Sequence, residues 1–231
     1  WSAIPSIYND LDQALRIHYP GLQAPPIWLK LASWIGGDRD GNPYVPSEVT
    51  AETLRLHRGL AVENHRRTLQ EQARRLSVSS RRVPPSSQLM DWIESRRPFP
   101  AHVAYIEDRY ATEPYRLALS LLVADLAAAS NEDMKSHLMS RKPHEAYISL
   151  EKLKEPVEIV VQAVPQVLVQ TELKNTQHQL NIFGLHAARL DIREHSGRFN
   201  SALSEILRAL EIESDFENLP KDERTHLLTR L

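Results

Sequence analysis

Apolar residues recur at helical spacing along most of the chain. Ile4, Ile7, Leu11 and Leu15 share one face, and Pro5 suits the first turn of the helix they predict. That helix should end before Pro20-Gly21, and Ala24-Pro25-Pro26 is a stiff connection. Ile27 to Ile35 mixes aromatic and branched residues and runs into Gly36-Gly37, which predicts a short buried strand. Ser47 offers an N-cap with Glu48 and Glu52 close behind, and the pattern then runs to about Leu76 with no proline. A Ser/Arg/Pro connection (77–87) leads to helices predicted over Gln88 to Arg97 and His102 to Tyr110. Thr112-Glu113-Pro114 reads as cap, acid and first-turn proline. The helix it opens is apolar on most sides and should be central. Further helices are expected over Asn131 to Ser140, Pro143 to Lys154 and Glu155 to Gln177, the last kinked at Pro165. Phe183 to Glu194 reads as a second strand entered through Gly184, and 196–210 and 220–231 return to helix. The fold class is mainly α, with two short strands.

Bulk properties narrow the function. The chain has 231 residues, 42% of them apolar, and a formal net charge of −2. That balance argues against a dedicated nucleic-acid or membrane-surface protein. There is no cysteine, which removes disulfides, thiolate chemistry and cysteine zinc sites. The longest apolar stretch, Leu117 to Ala129, is broken by Ser120 and Asp125 and falls short of the about 20 residues that span a bilayer. The chain starts at Trp1 inside one helical pattern and stops at Leu231 inside another, so it reads as an internal piece of a longer polypeptide.

Glycine is scarce, yet Gly36, Gly37 and Gly41 crowd into the stretch Ser33-Trp-Ile-Gly-Gly-Asp-Arg-Asp-Gly-Asn-Pro43. A calcium loop starting at Asp38 would need Gly at its sixth position and Glu at its twelfth, where Pro43 and Val49 stand. No Gly-Lys-Ser/Thr follows, so a phosphate loop fails too. What remains is a strand entering a tight turn, with Asp40 and Asn42 able to cap local amides and Arg39 able to pair with its flanking aspartates. In "ARLDIRE", strand alternation puts Arg189, Asp191 and Arg193 on one face and Leu190 and Ile192 on the other. Two readings stay open here. One is an edge strand with a solvated face. The other is an inward strand of a polar barrel, where two arginines hold an anion and Asp191 orients them, since guanidinium forks suit phosphate and carboxylate. Residues 55–97 hold ten arginines, many in adjacent pairs, against four acids. No aromatic residue interleaves with the pairs, so solvated helix faces, internal salt bridges or a subunit contact are favoured over nucleic-acid binding. The ten histidines form no H-E-x-x-H motif.

The segments "SWIGGDRDGNP", "EPYR" (Glu113 to Arg116) and "FGLHAARLDIRE", in this order, resemble phosphoenolpyruvate carboxylase of the bacterial and plant type, and "WSAIPSIYNDLDQAL" resembles the helix before its glycine-rich turn. The resemblance covers essentially the whole chain, 1–231, read as one internal segment. It implies a largely helical enzyme around an α/β (TIM-like) barrel, to which both predicted strands would belong. The family is a lyase of anaplerotic carbon fixation that joins phosphoenolpyruvate and bicarbonate, with Mg²⁺ or Mn²⁺, to give oxaloacetate and phosphate. Bicarbonate attacks the phosphate, carboxyphosphate and the pyruvate enolate form, and the enolate captures CO₂. The resemblance further implies a cytoplasmic homotetramer without nucleic-acid or membrane partners.

Residue by residue, the resemblance makes Arg193 the arginine that binds the substrate phosphate, with Arg189 as its neighbour on the same face. Asp38, Arg39, Asp40 and Asp191 would brace the site. The family's catalytic histidine, in a "TAHPT" segment, would lie upstream of Trp1. Its metal-binding carboxylates and mobile "HGRGG" loop would lie beyond Leu231. The chain would then hold no catalytic residue and no metal ligand, and would be inactive alone. It departs from the family pattern at Pro46, usually Thr, and at Glu194-His195, usually Gln-Glu. Alternation predicts that Glu194 faces away from the side that Arg193 occupies. The alternative is a non-catalytic helical scaffold or regulatory module of the same fold.

Overall fold

The computed structural model describes residues 1–25, 27–132, 148–165 and 173–231. The chain forms two compact units: residues 1–32 with 51–189, and residues 33–50 with 190–231.

The first unit is helical. Helix α1 (Ala3–His18) buries Ile4 and Tyr8 and ends before Pro20, as its spacing predicts. Helix α2 (Ser47–Arg75) opens with the amides of Val49 and Thr50 donating to the Pro46 carbonyl, so the cap lies one residue before the predicted Ser47. Helices α3 (Ser87–Ser95) and α4 (Ala101–Arg109) follow. Ser86 caps α3 by accepting from the Leu89 amide at 3.2 Å. Helix α5 (Pro114–Glu132) is central: Tyr115, Ala118, Leu119, Leu121, Leu122, Leu126 and Ala129 are all buried. Proline stands at its first position, where a missing N–H costs nothing, and α3, α4 and the next helix pack against it.

That next helix, α6 (Leu150–Ala163), is capped by Ser149. It runs continuously across the break expected at Lys154-Glu155, with Pro156 inside it. It does not kink at Pro165; it stops. Val164 is extended (φ −87°, ψ 143°), the conformation that a following proline imposes. Most of the helix expected over 131–140 lies outside the described residues, as do 143–147 of the one expected over 143–154 and the stretch 166–172; within 148–154 the helix begins only at Leu150, as the first turn of α6. Helix α7 (Lys174–Phe183) packs on α1 and α6.

Both strands are shorter than the sequence suggests. Strand β1 is Ala32–Ser33 and β2 is Arg189–Leu190; together they make one two-stranded sheet. The run 27–35 has only β2 as a pairing neighbour among the described residues, so most of it is extended but unpaired. Nor is it buried: Trp34 and Ile35 are exposed, and so are Ile27 and Trp28. Phe183 to Ala188 is not strand either. Leu180, Ile182 and Phe183 are buried on α7, which continues to Phe183. Gly184 then turns the chain at φ 51°, ψ −141°, with its amide bonded to the Leu180 carbonyl. Trp1 stacks on Phe183, with ring centroids 4.1 Å apart.

In the second unit, α8 (Ser196–Ala209) packs on a 3₁₀ turn (Phe216–Asn218), burying Leu207 and Phe216. His195 is its N-cap: Nδ1 accepts from the Gly197 amide at 3.2 Å. Helix α9 (Lys221–Arg230) buries nothing. Among the described residues, no helix of either unit is long and apolar enough to cross a membrane.

Candidate functional site

The second unit brings the two sequence motifs together. Gly37 and Asp38 donate to the Trp34 carbonyl at 2.8 and 3.0 Å, closing the turn that Gly36 (φ 78°) permits. Thr50 Oγ1 donates to the Gly36 carbonyl at 2.7 Å and ties this turn to the start of α2. The chain then pairs again. Arg193 N–H donates to the Gly37 carbonyl (2.9 Å) and Arg39 N–H donates to the Arg193 carbonyl (2.8 Å), a parallel bridge between Asp38 and Arg193. The Asp191 amide donates to the Ser33 carbonyl at 2.9 Å.

The register sorts the charges. Residues 38 and 193 project to one side of the ribbon, 39 and 194 to the other. Two ion pairs result. Arg193 Nη1 lies 3.8 Å from Asp38 Oδ1, and Arg39 Nε lies 3.2 Å from Glu194 Oε2. The second pair is the more enclosed, yet Arg39 Nε–H is not aligned for a hydrogen bond to Glu194. Glu194 also accepts from the His195 amide at 3.0 Å and sits 3.8 Å from Arg198. It is thus turned to the Arg39 side, as alternation predicts.

Arg193 is held more loosely. Its side chain is 55% exposed, and 3.8 Å is beyond hydrogen-bond length. Its guanidinium sits 5.7 Å from the Trp34 ring centroid. It donates no side-chain hydrogen bond among the described residues, so its planar fork of five N–H groups remains available to an oxyanion.

The other predicted residues are placed less tightly. Asp40 is exposed at the turn, where Asn42, not Asp40, caps a local amide by accepting from Tyr44 N–H at 3.0 Å. The Asp191 side chain is exposed and makes no ion pair among the described residues; its backbone, not its carboxylate, engages the turn. Ile192 is exposed as well, so only Leu190 covers the apolar side expected of this strand. Arg189 falls in the first unit, where it lines a cavity with Lys30 and His186. Lys30 and His186 were not marked by spacing, although a lone lysine inside the apolar run 27–35 was a signal. His65 has a structural role. It is buried on α2, and its Nε2 lies 2.7 Å from the Gly184 carbonyl. Burial holds its pKa at about 4, against the smaller opposing effect of that bond.

The "EPYR" arginine has a structural task. Arg116 donates to the carbonyls of Ala73 (3.1 Å) and Arg74 (3.3 Å), satisfying groups that the end of α2 leaves open. The arginine-rich stretch resolves largely into ion pairs: Arg66 and Arg67 with Glu63, Arg97 with Glu94 and Glu107, Arg96 with Asp125. Among the described residues, no three His, Asp or Glu side chains are grouped so as to hold a metal ion. The divalent cation implied by the resemblance therefore does not fit these residues.

Known proteins match the sequence of this chain along nearly its whole length. The family model for phosphoenolpyruvate carboxylase matches residues 1–231. The phosphoenolpyruvate carboxylase of Roseiflexus castenholzii is 32% identical over 98% of this chain, which spans 25% of that protein. The enzyme of the same name from Thermus thermophilus is 32% identical over 99% of the chain and 24% of its own length. That of Prochlorococcus marinus is 29% identical over 97% and 24%. The chain thus spans about a quarter of the length of the curated relatives it matches. With both motifs joined at one parallel bridge and the family match unbroken from end to end, the chain belongs to the phosphoenolpyruvate carboxylase family.

Proposed function

We propose that this chain is part of an enzyme converting phosphoenolpyruvate and bicarbonate to oxaloacetate and phosphate, and that Arg193 holds the phosphate. The observation that carries this is the state of Arg193. It is a half-exposed arginine at a parallel bridge beyond β2, with a counter-ion at 3.8 Å and no side-chain hydrogen bond spent among the described residues. Its backbone is fixed on both sides, through Gly37 and Arg39. A fork so held donates bidentately to a phosphate and offsets the charge that grows on the phosphoryl oxygens as bicarbonate attacks. Asp38 keeps the guanidinium in place until the dianion displaces it. Glu194, engaged by Arg39, is kept from competing as an anion.

In this reading β1 and β2 are strands of an α/β (TIM-like) barrel completed by other parts of the protein, with the site at the strands' C-terminal ends. The Mg²⁺ or Mn²⁺ ligands and the histidine that assists CO₂ release lie outside this chain, and the chain alone is inactive. The whole enzyme is a cytoplasmic homotetramer. Steady-state kinetics of the full-length protein tests the assignment. Arg193→Ala should lower kcat/KM for phosphoenolpyruvate by about 100-fold or more, while Arg66→Ala, on a solvated helix face, leaves it nearly unchanged. An unaltered rate in Arg193→Ala would sink the assignment.

A further inference from the structure

The first unit contains an electropositive cavity that the reading of Arg193 does not use. It has a volume of about 410 Å³ and forms between the extended run 27–31, the end of α7 and the turn after it. Lys30, Arg189, His186 and Asn181 supply its polar groups, and Leu31 and Ile182 are among its apolar ones. Among the described residues, no carboxylate lines it. Lys30 and Arg189 are exposed; the Arg189 amide donates to the Leu31 carbonyl at 2.9 Å, and neither side chain has an ion-pair or hydrogen-bond partner among the described residues. Two cations facing one concavity without a counter-ion repel each other. His186, which also lines the cavity, is held below its ordinary pKa by burial first, then by the charges of Arg189 and His57. At neutral pH it is an uncharged donor. Its ring lies against Gly184, where a Cβ would come within 2.9 Å of Cε1, so its position is set by the turn itself.

We propose that this cavity binds a small organic oxyanion, with Arg189 and Lys30 as the charged contacts and His186 and Asn181 as neutral hydrogen-bond partners. Arginine supplies a bidentate fork and lysine a point charge, a combination suited to a phosphate or a dicarboxylate. The apolar wall accommodates an uncharged carbon body, and the volume suits a ligand of a few to about a dozen heavy atoms. The inference is independent of the role of Arg193 and of the carboxylation reaction.

The test uses the full-length protein in an Arg193→Ala background, so that binding at Arg193 does not contribute. Isothermal titration calorimetry with inorganic phosphate, and separately with malonate, should detect binding that weakens at least about 10-fold with Lys30→Gln or Arg189→Gln, each removing one charge-assisted contact. Arg189→Lys should retain part of it. The probe that binds more tightly names the ligand class. A second readout is the His186 ring signal by NMR, whose apparent pKa should rise when the anion binds. Binding of neither probe, or binding unaffected by both charge removals and without a response of His186, overturns the proposal. Failure of the enzyme assay leaves it standing.

Discussion

A Cβ placed on Gly37 would stand 2.3 Å from the carbonyl oxygen of Asp191. No real side chain tolerates that approach, and the obstructing atom is backbone, which cannot swing aside. The glycine is therefore what lets the turn lie against the segment after β2 that carries Arg193. Gly37→Ala should cost about 1–3 kcal/mol and should lower activity by pushing that segment away. Gly41 is the control. It has φ +70° but nothing within 4 Å, so Gly41→Ala should cost roughly 1 kcal/mol of backbone strain and spare activity. Urea unfolding and steady-state kinetics on both variants separate the two.

Arg116 tests the structural role of its motif. Its side chain and that of Glu113, 3.0 Å away, are both mostly buried. Arg116→Ala takes the donor from two carbonyls of α2 and breaks the ion pair of Glu113, which keeps the Ser77 hydroxyl at 3.0 Å, a loss of about 1.5–3 kcal/mol. The melting temperature should fall while KM for phosphoenolpyruvate stays unchanged. A raised KM with an unchanged melting temperature would make Arg116 a site residue instead.

His65 predicts a pH dependence. Its pKa is about 4 in the folded protein against an ordinary 6.5. The folded state therefore binds fewer protons than the unfolded state between those values. Stability from this group is fully present above pH 6.5 and is lost as pH falls towards 4, a loss of roughly 3 kcal/mol. His65→Phe removes the titration. Comparing urea midpoints at pH 7.5 and pH 4.5, the native protein should lose more stability than the variant. His178 and His186 are shifted the same way, mainly by burial, and contribute equally to both proteins, so they cancel in the comparison.

Much of the helical framework was legible because it rests on local signals. Pro114 at a helix start, the apolar spacing of α1 and the all-round apolar face of α5 each announce themselves within a few residues, whereas the Ser149 cap inside the helix expected over 143–154 did not. The strands were overread for a physical reason. Composition marks a run as fit for a sheet, but only a neighbouring strand makes it one, and 27–35 pairs over two residues. The same limit governed the site. Alternation placed Glu194 apart from Arg193 correctly, since that depends on one strand. It could not reveal that Arg39 holds Glu194, that Asp191 engages the turn through its backbone, or that Arg189 shares a cavity with Lys30. Those contacts join residues about 150 positions apart in sequence and exist only after folding.

The central claim is most directly tested by bicarbonate-dependent oxaloacetate formation from phosphoenolpyruvate, measured on the full-length protein with Mg²⁺ and coupled to NADH oxidation by malate dehydrogenase. The account predicts turnover that requires both substrates and that largely disappears in Arg193→Ala. A folded full-length protein that forms no oxaloacetate under these conditions would contradict it, and would mean that the bridge between Asp38 and Arg193 persists as architecture alone.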